Sequence, residues 1–464
     1  MRMSSKRATG IFLALCIVTA AQPATPQETE ASGITQSFGI SSSLRANDNF
    51  GLDEPSPGTT TLWDNTVTYD LLKETTLDRL SLGLSGIFRF SDTPQQASGF
   101  EFDAPSAAFN YGRFGANSLL DLNLDYSEID LNFEDPLRRI DEDFDNTDDE
   151  LIRDDGTRKA TRAGLEFETG VNDPFGVGLS SNYSRIDYDD TTDPDLFDRE
   201  TTFNEVFGRF RFSPVLEGRL IFAQEDYEAE DTEGTDRTSR FTDFSLTYDI
   251  DPTTALEATI GYTDIDETLE FGPDIRESGV VGSLGLLREL PNGSAGVEFG
   301  SNLSINGRRN TILFARDLEL PLGELETSLG FTRGPLGDTN PIGSVLYVHE
   351  RSRTRLTVGF DRSYRTNDRS EETRRTRAFL GYEVAINPLS LMTFNLDYAS
   401  VSSIGIGSAE NNQIGTFRTA YVREITEDWD LSVGYEYIDY ESESDPRTQS
   451  NEVFFTLSRT FTTR

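Results

Sequence analysis

The feature that most constrains this chain is an apolar–polar alternation of period two, renewed roughly every 20 residues up to the C-terminus. Leu80, Leu82, Leu84, Gly86, Phe88 and Phe90 alternate with Arg79, Ser81, Gly83, Ser85 and Arg89. Leu120, Leu122, Leu124 and Tyr126 alternate with Asp121, Asn123, Asp125 and Ser127, and Phe244, Leu246, Tyr248 and Ile250 with Asp243, Ser245, Thr247 and Asp249. The pattern returns at Leu380–Ile386, at Met392–Tyr398 and at Leu431–Tyr437. Side chains of a strand point alternately to its two faces, so each segment has one apolar and one polar face.

The segments are joined in two ways that take turns. Tight connections carry backbone breakers: Asn172-Asp173-Pro174, Ser213-Pro214, Asp251-Pro252, Pro291-Asn292-Gly293, Pro321-Leu322-Gly323 and Asn387-Pro388. The others are longer and more acidic, as at 135–156, 190–199, 229–237, 268–275, 366–372, 403–412 and 442–449. Eleven hairpins, hence about 22 strands (range 20–24), are expected between residues 33 and 461. The two weakest strands are 105–114 and 342–350. The fold class is all-β: a transmembrane antiparallel up-and-down β-barrel with short periplasmic turns and longer acidic outer loops.

A soluble fold accounts for these data poorly. So many half-apolar strands, with no helix and no shift in composition, leave no place to divide separate cores. Arg, Asp, Glu and Asn stand at mid-strand positions, where a packed interior would need every one of them paired. Closure into a barrel removes the edge strands that a long meander would expose.

The N-terminus fits export. Arg2, Lys6 and Arg7 precede an apolar run from Ile11 to Val18, followed by Thr19-Ala20-Ala21. This is the layout of a secretory signal over 1–21, with 22–32 a short periplasmic segment and 33–464 the barrel. Cys16, the only cysteine, lies within that signal, so the mature chain has no disulfide or thiolate chemistry. Cleavage removes three of the 41 basic residues and none of the 81 acidic ones, so the mature charge is near −43. Such a surface repels phosphate backbones, which argues against nucleic acid as a partner. A mean hydropathy of −0.46 and 26% charged residues also exclude a helical membrane protein.

A fragment recurs on the strands running outward: YSEID at 126–130, YSRID at 183–187, YTDID at 262–266 and YEYID at 435–439. Each tyrosine follows the apolar run and precedes an outer loop, as expected of an interfacial aromatic girdle. Phe455, Leu457, Arg459 and Phe461 alternate toward the end, like the C-terminal signal read by the outer-membrane assembly machinery. Thr462-Thr463-Arg464 trail the aromatic, and Arg459 interrupts the apolar face. With these features the chain resembles the β-barrel porin families of proteobacteria, especially the plug-less barrels associated with capsular or exopolysaccharide secretion. The resemblance spans 33–461 and rests on architecture, length and hairpin style.

About 10 residues lie between the expected cleavage site and the first strand, whereas a TonB-dependent transporter would place a plug domain there. Parity turns Arg209, Arg211, Arg355, Arg375 and Arg377 inward, with Glu166, Glu168, Asp243, Glu257, Glu383 and Asp397. Of these, Arg209, Arg211, Arg355, Arg375, Arg377, Glu383 and Asp397 are the selectivity candidates; mutual pairing that braces the wall is the other reading. Phe207 and Phe379 share that face.

Asp141, Asp143, Asp145, Thr147 and Asp149 sit at alternate positions, as in a calcium loop. Asn146, Asp148 and Ile152 break that pattern, which leaves weak surface binding of Ca²⁺ or Mg²⁺ against a solvated, repulsive loop. His349 is the only histidine and no nucleophile or phosphate-loop motif is present, so neither an enzyme nor a cofactor is expected. The leading expectation is an outer-membrane channel or porin-like barrel, most concretely a conduit in exopolysaccharide or capsule export. The alternative is a structural or surface-exposed barrel whose acidic loops engage lipopolysaccharide, divalent cations or envelope partners. Expected partners are outer-membrane lipid, lipopolysaccharide and the barrel assembly machinery, with polysaccharide-export components under the first reading.

Overall fold

The computed structural model describes residues 33–94, 98–133, 154–367, 370–404, 411–442 and 446–463. The expected signal and N-terminal segment, and Asp141, Asp143, Asp145 and Asp149, lie outside the described residues. Twenty-two strands follow in chain order: β1 (Gly33–Asn47), β2 (Thr60–Glu74), β3 (Asp78–Asp92), β4 (Gly99–Phe114), β5 (Ser118–Asp130), β6 (Thr157–Thr169), β7 (Phe175–Asp189), β8 (Arg199–Ser213), β9 (Leu216–Ala229), β10 (Thr235–Asp251) and β11 (Thr254–Leu269). The second half comprises β12 (Ile275–Leu290), β13 (Gly293–Ser304), β14 (Gly307–Leu320), β15 (Gly323–Arg333), β16 (Thr339–Arg351), β17 (Thr354–Thr366), β18 (Glu372–Asn387), β19 (Ser390–Ile404), β20 (Asn411–Thr426), β21 (Trp429–Glu441) and β22 (Thr448–Thr463). Each pairs antiparallel with its chain neighbours, and β1 pairs with β22, so the sheet is a closed ring. The short connections lie at the end where β1 begins and β22 finishes, which is the periplasmic end.

The apolar set points outward. Leu329, Ile260, Val206 and Phe222 are 54–70% exposed, an arrangement stable only against hydrocarbon. At the seam Phe38 faces Phe461, with ring centroids 6.4 Å apart, so the terminal aromatic belongs to this band. Arg459 shares the outward face near the periplasmic rim. It pairs with Asp428 at 3.1 Å and lies over the Trp429 and Phe461 rings, which lets a charge sit at the interface.

The two weak strands are longer than the sequence indicates, and proline explains both. In β4 the register slips between Ser85 and Ile87 of its partner, so Ala104 and Pro105 together face Gly86. This bulge absorbs a residue with no N–H to donate, and Ala104 takes a left-handed φ of 48°. In β16, Pro341 precedes Gly343, where pairing with β17 begins, so it lies where the strand is paired on one side only.

Described residues of several outer connections fold into the barrel mouth, which alternation does not foretell. Leu52, between β1 and β2, is 7% exposed and packs on Ala399, Val401, Ile414 and Tyr440 of the inner wall. Leu131, in a 3-10 turn at Leu131–Phe133, joins Leu196 of the β7–β8 connection against Ala160, Ile186 and Tyr188. Phe197 packs on Tyr227 and Ala229. Phe50 meets Phe133 at 4.9 Å, and Phe133 lies over the buried Arg89 guanidinium at 3.3 Å. Apolar side chains in acidic loops thereby leave water by docking on an apolar collar inside the upper wall.

The β17–β18 connection goes further. Ser370 receives a hydrogen bond from Arg237 of β10 and donates one to Glu267 of β11, seven strands round the ring. Asn306, in the tight turn between β13 and β14, donates to the Ser370 carbonyl, and Arg309 pairs with Glu372. Ser370 is thereby tied to the far side of the opening, away from its own hairpin.

Two outcomes test the infolded mouth. Leu52→Ala should weaken docking of residues 48–59 by about 2 kcal/mol. The expected readout is faster limited proteolysis of that segment while the heat-modifiable gel shift of the intact barrel is kept. The second concerns Asp154. Burial pushes its carboxyl up, but hydrogen bonds from the Asp193 amide, the Thr192 hydroxyl and amide and the Asp155 amide outweigh this and hold it below the usual aspartate range. A depressed carboxyl contributes stability above its unfolded pKa and loses it as pH falls through the folded one. Amide exchange at Thr192 and Asp193, corrected for intrinsic rate, should therefore stay constant down to about pH 4 and rise only below it. Asp154→Ala should raise it already at pH 7.

Candidate functional site

Cross-strand register defines which side chains share the lumen wall. Arg209 faces Arg219, Arg355 faces Glu383, Arg377 faces Asp361, and Phe379 faces Asp397, all on the inner face. Arg209, Arg211, Arg355, Arg375, Arg377, Glu383 and Asp397 therefore all point into the barrel, but they form two groups.

Arg209 and Arg211 stand at the periplasmic rim. Arg209 pairs with Glu168 at 2.9 Å and donates to the Gly170 carbonyl at 2.8 Å. Arg211 pairs with Glu217 at 3.3 Å and reaches the Val171 carbonyl at 3.4 Å. Both arginines hold down the β6–β7 turn. The second group lies on β17–β19: Arg355 is 3.3 Å from Glu350, Arg377 is 3.8 Å from Asp397, and Arg375 is buried above them.

The inner wall also carries a device with no sequence signature of its own. Phe207, Phe379 and Phe454 lie directly opposite Gly178, Gly359 and Gly434. A Cβ on any of these glycines would overlap the facing ring, so each phenyl lies flat on bare backbone. The guanidinium of Arg219 covers Phe207 at 3.7 Å and that of Arg418 covers Phe454 at 4.7 Å, leaving the rings 3% and 6% exposed. Phe379 differs. Arg377 stands 5.4 Å from its centroid, the ring is only half-buried, and it lines an open recess with Arg355, Thr357, Gly381, Glu383, Asn395 and Asp397.

On the outer surface the recurring fragment resolves into layers. Its tyrosine points outward at the top of the apolar band, with Tyr126 and Tyr262 36% and 49% exposed. Its fourth residue points inward: Ile186 and Ile265 are buried, and Ile438 packs against the cluster around Leu52. In β7, β11 and β21 its third and fifth residues point outward above the girdle. A tilted strand needs only about 9–11 residues to cross hydrocarbon, whereas β11 has 16, so Asp264 and Asp266 clear the apolar zone.

Basic side chains meet these acids. Arg276 lies 2.9 Å from Asp264 and 3.2 Å from Asp266, and Arg240 lies 3.1 Å from Asp266. Arg185 pairs with Asp187 at 2.8 Å and Arg447 with Asp439 at 2.5 Å, while Lys159 pairs with Asp189. The sequence holds the signal for these pairs, because the acids recur at fixed offsets from the tyrosines. Apolar residues such as Leu52, Leu196 and Phe197 inside acidic loops are the corresponding signal for the infolded mouth.

His349, at the periplasmic end of β16, accepts from Arg351 on Nε2 at 3.1 Å, which leaves Nδ1 facing the Tyr347 hydroxyl at 3.2 Å. Among the described residues no group of three His, Cys, Asp or Glu is placed to hold a metal ion.

No family model and no curated protein sequence matches the chain. Solved structures do. The ferric-catecholate import receptor Fiu from E. coli, in its open form, matches with a TM-score of 0.55 and 12% identity, over 91% of this chain and 81% of that one. The FrpB iron transporter from Neisseria meningitidis gives 0.57 and 9%, over 92% and 82%. The copper transporter OprC gives 0.51 and 11%, over 91% and 80%. At such identities the likeness is one of fold.

These matches correct two expectations. The resemblance to capsular or exopolysaccharide secretion barrels is overturned, because the barrels of matching shape are metal-import receptors and transporters. Hairpin number and length carried that resemblance, and closure geometry imposes both on any barrel of this size. The porin-like conduit for exopolysaccharide or capsule falls with it, together with polysaccharide-export partners. A polymer path needs an open mouth, and here residues 48–59, 131–133 and 190–198 and Ser370, all among the described residues, pack into it. What stands is the fold and its setting: a closed 22-strand antiparallel β-barrel of a Gram-negative outer membrane.

Proposed function

We propose that the chain is a non-catalytic, surface-exposed outer-membrane barrel whose charged outer rim binds lipopolysaccharide, with Mg²⁺ or Ca²⁺ shared between its carboxylates and the lipid phosphates. The carrying observation is two outward groups of paired charges directly above the tyrosine girdle, on β6–β7 and on β10–β12: Lys159, Arg185, Arg240 and Arg276 against Asp187, Asp189, Asp264 and Asp266. Because an aromatic girdle marks the membrane interface, charges just above it meet the headgroup phosphates of the outer leaflet. Guanidinium groups bind phosphate in a fixed fork, and hard cations take carboxylate and phosphate oxygens together. Exposed ion pairs contribute little to a fold by themselves, which leaves these side chains free to exchange partners with a lipid. Barrels of the same shape serve as import receptors for ferric catecholates, iron or copper. That likeness supports an outward-facing role and carries no cargo over to this chain.

The test is lipopolysaccharide retained by the purified protein after detergent exchange. Replacing Lys159, Arg185, Arg240 and Arg276 together by alanine should lower it by about tenfold, the equivalent of about 1.4 kcal/mol. Chelation with EDTA should lower it in the parent protein too. Equal retention by parent and variant, with the barrel still heat-modifiable, would refute the proposal.

A further inference from the structure

We infer that the inner wall between β17 and β19 holds a binding site for a single neutral sugar ring, stacked on Phe379. Being on the lumen face, the site is independent of the outer-rim reading. Three inner-wall phenylalanines lie flat on glycines, yet Phe379 alone of the three stays half-exposed: its nearest guanidinium, Arg377, stands off at 5.4 Å from the ring centroid, whereas Arg219 and Arg418 close over Phe207 and Phe454 at 3.7 and 4.7 Å. Gly381 beside it has no side chain, so the ring forms the floor of an open recess.

The polar rim narrows the ligand. Arg355 faces Glu383 at one end, Arg377 pairs with Asp397 at 3.8 Å at the other, and Asn395 stands at the side. Each end carries both signs, so a ligand of one charge gains at one group and loses at its neighbour. The matching perimeter both donates and accepts hydrogen bonds, and its body is an apolar face about one ring wide. A pyranose has both: axial C–H groups to lie on the phenyl and hydroxyls for carboxylate, amide and guanidinium. One stacked ring with a few solvent-competed hydrogen bonds supports a Kd of about 1 mM.

The experiment is saturation-transfer NMR on the detergent-solubilised barrel with methyl glucoside, methyl galactoside, glucuronate and adenosine. The neutral glycosides should give the strongest transfer, concentrated on the C–H groups of one ring face. Phe379→Ala should weaken them by about tenfold. Gly381→Leu should abolish binding by filling the recess; its Cβ has room, with Asn395 Oδ1 at 3.4 Å and Thr357 Cβ at 4.0 Å. Phe207→Ala, which alters a capped ring, should leave binding unchanged. Heat-modifiable migration verifies the fold of each variant. The site is disproved by unchanged binding in both recess variants, by preference for adenosine or glucuronate, or by no glycoside signal at about 50 mM, some fifty times that Kd.

Discussion

The structure depends on one constraint: within hydrocarbon, every backbone N–H and C=O must find its partner inside the chain. An open sheet of 22 strands would leave two unsatisfied edges, so the register that joins β1 to β22 is as necessary as any single hairpin. The same demand decides where irregularity is allowed. Bulges fall beside the periplasmic turns, between Arg211 and Ser213, Asp249 and Asp251, Ala385 and Asn387, and Glu424 and Thr426. In the first three a proline, Pro214, Pro252 or Pro388, follows directly. The exception, opposite Gly86, is where Pro105 must be accommodated.

Once the ring is closed, its inner face becomes a wall of polar groups that must be reconciled with one another. At the periplasmic rim arginines are spent on carboxylates and turn carbonyls. Further up, guanidinium planes cover phenyl rings that themselves cover glycine backbone. Such a stack needs a glycine and a phenylalanine at the same level on adjacent strands, with an arginine on the diagonal. Arg219, Phe207 and Gly178 come from β9, β8 and β7, so the stack exists only because those strands are in register. Phe379, with its arginine held further off, is the variation on this theme that leaves an open recess.

The tyrosine-containing repeat shows how strand length couples membrane anchoring to the mouth. Because the strands outlast the hydrocarbon, one five-residue fragment reaches three environments. Its ring sits at the interface, its isoleucine turns inward to receive the loops, and its acids stand outside among basic partners. Hairpin duplication carries all three together, and so the collar that seats Leu52 and Leu196 and the charged outer groups occur at the same height.

Strand number, the polarity of each face and the inward direction of Arg209, Arg211, Arg355, Arg375 and Arg377 were legible in the sequence, because a period of two is a local property that needs no knowledge of neighbours. The placement of Leu52 was not. Its socket comes from β19, β20 and β21, more than 340 residues further along, and meets the β1–β2 connection only after closure. Nor could the sequence separate Phe379 from Phe207 and Phe454, since the cap over each ring belongs to register. The family resemblance failed for the opposite reason: it rested on local features that closure imposes on every barrel of this size. The sequence thus determined a membrane-spanning ring with a polar inside, and the tertiary structure alone decided what that inside holds, because only closure brings distant strands and loops to the same height.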